Sequence, residues 1–79
     1  MKSNIMVIIV ENRGSNATEV QEVLTKFGSI INARLGLHDN GTFNEGKIIL
    51  DLSDDEIKIK ELSNELASIS GIRVGFINV

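Results

Sequence analysis

The chain has 79 residues, 42% of them hydrophobic, which indicates one small globular domain spanning residues 1–79. A formal net charge of -3 and only three aromatic residues disfavour direct binding to nucleic acid or to an anionic membrane. The lack of cysteine excludes disulfides, thiolate metal sites and a cysteine nucleophile. No apolar run is long enough to span a bilayer and no signal peptide is evident, so we expect a cytoplasmic protein.

The first predicted element is a strand over Ile5–Val10, an unbroken apolar run rich in β-branched residues. A helix is predicted to follow from Ser15 or Asn16, because either side chain can accept a hydrogen bond from a first-turn N–H. Asn16 also begins a capping-box pattern. The apolar face of the helix ends at Phe27, and Gly28 is predicted to be its left-handed C-cap.

Two further strands are predicted to form a hairpin. The segment Ile30–Leu37 alternates in polarity, and a turn signal follows at Asp39–Gly41 and extends to Gly46. The third strand covers Lys47–Leu52. The side chains expected to share one face of the second strand are Ile31, Ala33, Leu35 and Leu37, and those expected to share one face of the third are Ile48, Leu50 and Leu52.

A second helix and a last strand complete the chain. Ser53–Glu56 forms a capping box, and Ser70–Gly71 ends the helix before a strand over Ile72–Val79. The buried stripe of this helix is predicted to be Ile59, Leu62, Leu66 and Ile69. The order β-α-β-β-α-β predicts an α+β, ferredoxin-like fold: a four-stranded antiparallel sheet, strands one and three central, with both helices on one face.

The main functional prediction concerns the face of this sheet that carries no helix. The first strand is apolar on both sides, so either Met6, Ile8 and Val10 or the alternate residues Ile5, Val7 and Ile9 must face outward. An open apolar face indicates a protein–protein surface, and we expect a homodimer packed sheet to sheet or by strand edges, or a homotetramer. The predicted interface comprises Met6, Ile8, Val10, Arg34, Gly36, Ile49, Arg73, Gly75 and Ile77.

The sequence resembles the ACT domain superfamily in the loop Asn12–Gly14 and in the segment Gly28–Asn32. Within that group, Arg34–Gly36 and Ile69–Val74 resemble small stand-alone regulators of iron-only hydrogenase systems, and the chain also resembles the C-terminal domain of the NikR repressors. The resemblance implies an oligomeric regulatory domain with a small-molecule site near the loop after the first strand. Carried over onto this chain, that site is Asn12, Arg13, Gly14, Ser15 and Asn16.

The residues of this loop also support such a site directly, because free N–H groups at a helix N-terminus can hold a small anion. The alternative is a capped βα turn without a ligand. The loop departs from the amino-acid-binding ACT pattern, since no proline precedes Gly14. With one histidine and no cysteine the chain lacks the ligands of the NikR nickel site, so we predict no metal and no cofactor.

Three other residue sets are better explained structurally. The lone His38 lacks the partners of a metal site and is predicted to be a solvated strand end. Asp51 and the acidic run Asp54–Glu56 fit helix capping and surface charge better than a cation site. Arg34 and Arg73 could clamp an anionic effector across an interface, although surface ion pairing is favoured.

We therefore expect a regulatory ACT-like domain and not an enzyme. An acylphosphatase-like hydrolase shares the fold, but Arg13 and Asn32 match its arginine and asparagine only loosely, and no nucleophile–base pair is visible. A metallochaperone would need a Cys-x-x-Cys motif. As a regulator of transcription or of a metal-enzyme system the domain would act through a separate protein partner. The alternative is a purely structural interaction module without a small ligand.

Overall fold

The computed structural model describes residues 3–11, 13–38 and 45–79, with the backbone alone described at residues 13–15, 38 and 45. The strands are β1 Asn4–Glu11, β2 Ile31–His38, β3 Glu45–Leu52 and β4 Ile72–Asn78, and the α-helices are α1 Arg13–Lys26 and α2 Glu56–Ala67. A short 3-10 turn, Gly28–Ile30, connects α1 to β2. This order confirms the predicted β-α-β-β-α-β arrangement. The predicted Asp39–Gly41 turn lies outside the described residues.

The four strands form one antiparallel sheet in the order β2-β3-β1-β4, so β1 and β3 are central as predicted. The register places Met6 of β1 directly opposite Leu50 of β3 and Phe76 of β4. Because residues directly opposite one another in a sheet share a face, these pairings determine which side chains meet the helices.

Both helices pack on one face of the sheet and enclose the hydrophobic core. The predicted stripe of α2 is buried, although its last member, Ile69, lies just beyond the end of the helix at Ala67. The face of α1 formed by Val20 and Leu24 is buried too. Full burial of a side chain of this size contributes about 1.5–3 kcal/mol, so this layer is the main source of stability in a short chain. The core consists of Met6, Ile8, Val10, Val20, Leu24, Phe27, Ile30, Leu50, Leu52, Ile59, Leu62, Leu66 and Ile69.

The ends of α1 differ from the prediction. The helix begins at Arg13, which places Asn16 within the helix instead of at its N-cap. The Asn16 Nδ2 donates to the Ser70 carbonyl oxygen, so the side chain ties α1 to the connection between α2 and β4. Among the described glycines the left-handed conformation belongs to Gly71, with φ 79°, and not to Gly28. A Cβ at Gly71 would lie 2.7 Å from Asn16 Nδ2, so this close approach requires glycine.

The start of α2 is capped two residues later than expected. Asp55 is the N-cap, and its Oδ1 accepts a hydrogen bond from the Lys58 N–H at 3.1 Å. The predicted cap, Ser53, instead donates from its Oγ to Asn32 Oδ1 at 3.0 Å. The position of the helix was therefore predictable from this polar run, but the residue that caps it was not.

A β-bulge changes the facing of β2. The register shifts between Ile31, which pairs with Leu52, and Ala33, which pairs with Asp51. Ile31 consequently packs against the core, whereas Ala33 lies on the opposite face. The prediction that these two residues share a face is wrong, because the bulge inserts one residue and reverses the alternation.

Candidate functional site

The sheet face opposite the helices, called the open face below, is the main candidate surface. The strand register arranges it in three rows across the sheet. The middle row runs through Val7 and Ile49 on the two central strands. In the order β4-β1-β3-β2, the rows are Ile77, Ile5, Asp51 and Ala33; Gly75, Val7, Ile49 and Leu35; and Arg73, Ile9, Lys47 and Leu37.

Most positions of the open face are apolar and many are accessible to solvent. Leu35, Ile77 and Leu37 are 56%, 53% and 41% exposed, and the central isoleucines and valine are half-buried by their neighbours. With strands about 4.8 Å apart and a rise of about 3.4 Å per residue, the twelve positions of the open face cover on the order of 400 Å², and apolar side chains occupy roughly two thirds of them. Contiguous apolar patches of this size on single domains are often functional.

Charged groups lie at two sides of this apolar patch. Arg73 Nε is 2.9 Å from Glu11 Oε1, and both side chains are solvent-exposed. On β3, Lys47 and Asp51 lie two residues before and two residues after Ile49. On β3, Lys47 therefore places a positive charge in the row that begins with Arg73, and Asp51 places a negative charge in the row that begins with Ile77.

Three residues predicted for the interface are in the core instead. Met6, Ile8 and Val10 are buried, because they lie opposite the helix-facing side chains of β3 and β4. Their alternates Ile5, Val7 and Ile9, which the sequence left equally available, face outward. The assignment of the two sides of β1 was thus reversed.

Arg34 and Gly36 also lie on the helix side of the sheet. Arg34 pairs with Leu50 across the β2–β3 ladder, and its Nη2 donates to Gln21 Oε1 on α1. Gly36 pairs with Ile48 and borders the groove beneath α1. Because β2 is an edge strand that the helices cover only partly, its polar side can face the helices without burying a charge.

The remaining predicted interface residues lie where they were expected. Ile49, Arg73, Gly75 and Ile77 are on the open face. Leu35 and Leu37 also lie on the open face, although they were not predicted there, because they alternate with the predicted interface residues Arg34 and Gly36. Their own β-period was correct, and only the side of the sheet was misassigned.

The predicted ligand loop after β1 is only partly described. Asn12 lies outside the described residues, and Arg13, Gly14 and Ser15 form the first turn of α1 with their side chains undescribed. The Glu11 N–H donates to the Gly71 carbonyl at 2.9 Å, and Asn16 donates to Ser70. The end of β1 and the first part of α1 are therefore both hydrogen-bonded to the α2–β4 connection.

A cavity of about 270 Å³ lies between α1 and the β2–β3 ladder. Its wall is mostly apolar, and Gly36 and Gly46 leave space because they carry no side chain. Val10 and Ala17 flank the predicted ligand loop on either side and both line the cavity. A small apolar group could thus lie next to the N-terminus of α1.

A metal site and a membrane-spanning helix find no support in the described part of the chain. No group of three or more histidine, cysteine or acidic residues there could hold a metal ion. The side chain of His38 is outside the described set. No helix among the residues described has the length and apolar character needed to cross a membrane.

Residues 2–75 match the protein family described as "TM1266-like: Iron-only hydrogenase system regulator, putative". Curated protein sequences contain no match to this chain. Among solved structures, the uncharacterized protein TM1266 from Thermotoga maritima has a TM-score of 0.89 and 34% sequence identity, over 100% of this chain and 99% of that chain.

Two more distant structures share the fold. The ACT domain of GTP pyrophosphokinase from Chlorobium tepidum has a TM-score of 0.73 and 17% identity, covering 95% of this chain and 96% of that chain. CPII, a nitrogen regulatory PII-like protein from Thiomonas intermedia K12 solved with ADP, AMP and bicarbonate, has a TM-score of 0.64 and 18% identity, covering 100% and 93%. The predicted ACT-like fold is confirmed, and the chain belongs to the TM1266-like family, whose members are described as regulators of iron-only hydrogenase systems.

Proposed function

We propose that this protein is a cytoplasmic, non-enzymatic regulatory domain that works as a homodimer joined through its open face. The observation that carries the proposal is the contiguous apolar surface on that face, including Leu35, Leu37 and Ile77. The family description supports a regulatory role. An open face of about 400 Å² per protomer is small for a permanent interface, so we expect a dimer that dissociates in the micromolar range.

The charges on the open face favour one arrangement of the two copies. A two-fold axis running along the strands between β1 and β3 would place Lys47 and Asp51 on the partner's Ile9 and Ile5. An axis running across the strands at the Val7–Ile49 row would place Lys47 opposite the partner's Asp51, and the reverse. The second arrangement pairs opposite charges twice and keeps the apolar rows together, so it is preferred.

This arrangement also places the middle row of one protomer against the middle row of its partner. The partner's Ile49 would lie over Ile49 and the partner's Val7 over Val7, while Gly75 permits close approach of the two sheets at one edge. Face-to-face sheets usually cross at about 30° because each is twisted. The dimer would therefore be a two-sheet sandwich with the helices on its outer surfaces.

The loop after β1 is the proposed effector site of this regulator. In sequence, Asn12 precedes α1, and Arg13, Gly14, Ser15 and Asn16 begin it. The N–H groups of this first turn favour an anion, and the 270 Å³ cavity lined by Val10 and Ala17 could take an apolar body. We expect an effector bound there to change the hydrogen bond between Asn16 and Ser70. The signal would pass to a separate protein partner, and a purely structural module without a ligand is the alternative.

Charge reversal on β3 tests the proposed dimer. Lys47→Asp or Asp51→Lys alone would oppose like charges at two symmetric places, and we expect each to raise the dissociation constant about tenfold. The double variant should restore dissociation close to that of the native protein. Sedimentation equilibrium at low salt gives the three constants, and the differences should shrink at high salt because the pairs are at the surface.

Lys58→Asp, an equivalent change of charge on α2, serves as the control and should leave association unchanged. The arrangement with the two-fold axis across the strands would be disproved if the double variant associated no better than either single variant. If all variants and the native protein were equally monomeric, the dimer itself would be rejected.

A further inference from the structure

A second cavity, of about 410 Å³, lies at the opposite end of the helix layer from the ligand loop. It opens between α2, the first residues of β1 and the last residues of β4. Phe76 is on the helix side of the sheet, yet it is 46% exposed because β4 is an edge strand that α2 does not fully cover. The volume lies in the range of small-molecule sites, about 300–1,000 Å³.

The floor of this cavity is apolar. Met6 and Ile59 are buried in the core below it, and the Phe76 ring forms one wall. A thioether and an aromatic ring adapt well to a compact apolar group, because methionine is flexible and an aromatic side chain offers a large rigid surface. A ligand would consequently need an apolar body to replace water here.

The buried amide of Asn4 lies at the mouth of the cavity. Asn4 is only 2% exposed, and its Oδ1 accepts a hydrogen bond from Asn78 Nδ2. Its Nδ2 donates to Asp54 Oδ1 at 3.4 Å, which is long for a hydrogen bond. The Asp54 carboxylate makes only this weak contact with Asn4, so most of its capacity to accept hydrogen bonds remains available.

The charges around the cavity select for a cation. The lining includes the carboxylates of Asp54 and Glu56 and a single ammonium group, that of Lys60, so the local balance is negative. Ser63 and Asn64 add oxygen atoms that can accept hydrogen bonds. Carboxylates outnumber ammonium groups in this lining, so a cation is favoured over an anion, and a ligand ammonium group could lie close to the Phe76 ring.

We propose that this cavity binds a small organic cation: a primary amine on an apolar or aromatic body, with the ammonium group at Asp54 and the body between Met6, Ile59 and Phe76. The site is separate from the open face and from the ligand loop, so it does not depend on the dimer or on the effector proposed above.

Three probes with the same phenyl body test this proposal on the isotope-labelled native chain by NMR titration. They are 2-phenylethylamine, which is cationic, 2-phenylethanol, which is neutral, and phenylacetate, which is anionic. We expect the amine to shift the amide signals of Ser63 and Phe76 in a saturable manner. The alcohol should bind about tenfold more weakly and the anion not detectably, because only the amine forms charge-assisted hydrogen bonds.

Two variants locate the charge that the amine needs. Asp54→Asn keeps the size of the side chain, and we expect it to weaken the amine about tenfold. Glu22→Gln removes the same charge from an exposed position on α1, outside the cavity and the open face, and should leave amine binding unaltered. Equal binding of the amine and the alcohol, equal effects of the two variants, or no shift at Ser63 and Phe76 with any probe would each overturn the proposal. Sedimentation measured alongside reports separately on the dimer.

Discussion

The Ile49→Asp variant is expected to be a folded monomer. Ile49 lies in the middle row of the open face, where the preferred two-fold axis brings it against the same residue of the partner. The substitution would therefore bury two like charges without counter-ions in one dimer. Leaving a charge buried and unpaired costs about 3–5 kcal/mol, so the dissociation constant should rise more than a hundredfold.

Ile57→Asp is the matched control for this variant. Ile57 is 74% exposed on α2, on the other side of the molecule, and an acidic residue near the start of a helix is favourable. Sedimentation velocity and circular dichroism should show a native dimer for Ile57→Asp and a native-like monomer for Ile49→Asp. If Ile49→Asp associated as well as the native chain, the open face would not be the interface.

The Ile8→Ala variant is expected to lose about 2–4 kcal/mol of its free energy of unfolding. Ile8 is fully buried beneath the helices, so truncation removes apolar contacts and leaves a cavity that the surrounding core only partly fills. A short domain has a total stability of only about 5 kcal/mol, so this loss is a large part of it. Urea unfolding, followed by circular dichroism, measures the change.

The neighbouring variant Ile9→Ala provides the comparison. Ile9 is half-buried on the open face, and its truncation should cost less than half as much as that of Ile8. Both changes are best made in the Ile49→Asp background, because a dimer adds a concentration-dependent term to stability. A larger loss for Ile9→Ala than for Ile8→Ala would contradict the assignment of the two faces of β1.

The topology of this chain was predictable because each element has a distinct period or boundary. The stripe of α2 recurs at helical spacing, and Gly71 ends the connection that follows it. The faces of β1 were not predictable, since every residue from Ile5 to Val10 is apolar and neither alternate set is marked as the core. The faces of β1 are determined by strand pairing, because the register puts Met6 beside buried Leu50.

The facing of β2 shows a different limit of the sequence. Arg34 and Gly36 were predicted for the open face, and the alternation of the strand therefore excluded Leu35 and Leu37 from it. The bulge after Ile31 and the position of β2 at the sheet edge reverse this, and Arg34 reaches Gln21 instead. The uncovered apolar side of β2 extends the open face, so the misassignment and the candidate interface have the same cause.

The two cavities could not be predicted from residue patterns. The larger one exists because α2 stops short of covering Phe76 on the edge strand, which depends on how the helix lies on the sheet. Asn4, whose amide is buried, precedes the apolar run Ile5–Val10, and nothing in the sequence marks it as part of a site. Such sites depend on contacts between elements distant in sequence.

Sedimentation velocity of the native protein over a range of concentrations shows whether two chains associate. We expect a reversible change from a species of one chain at low concentration to a species of two chains in the micromolar range and above. A single-chain species at every concentration, up to the millimolar range, would contradict a dimer formed through the open face.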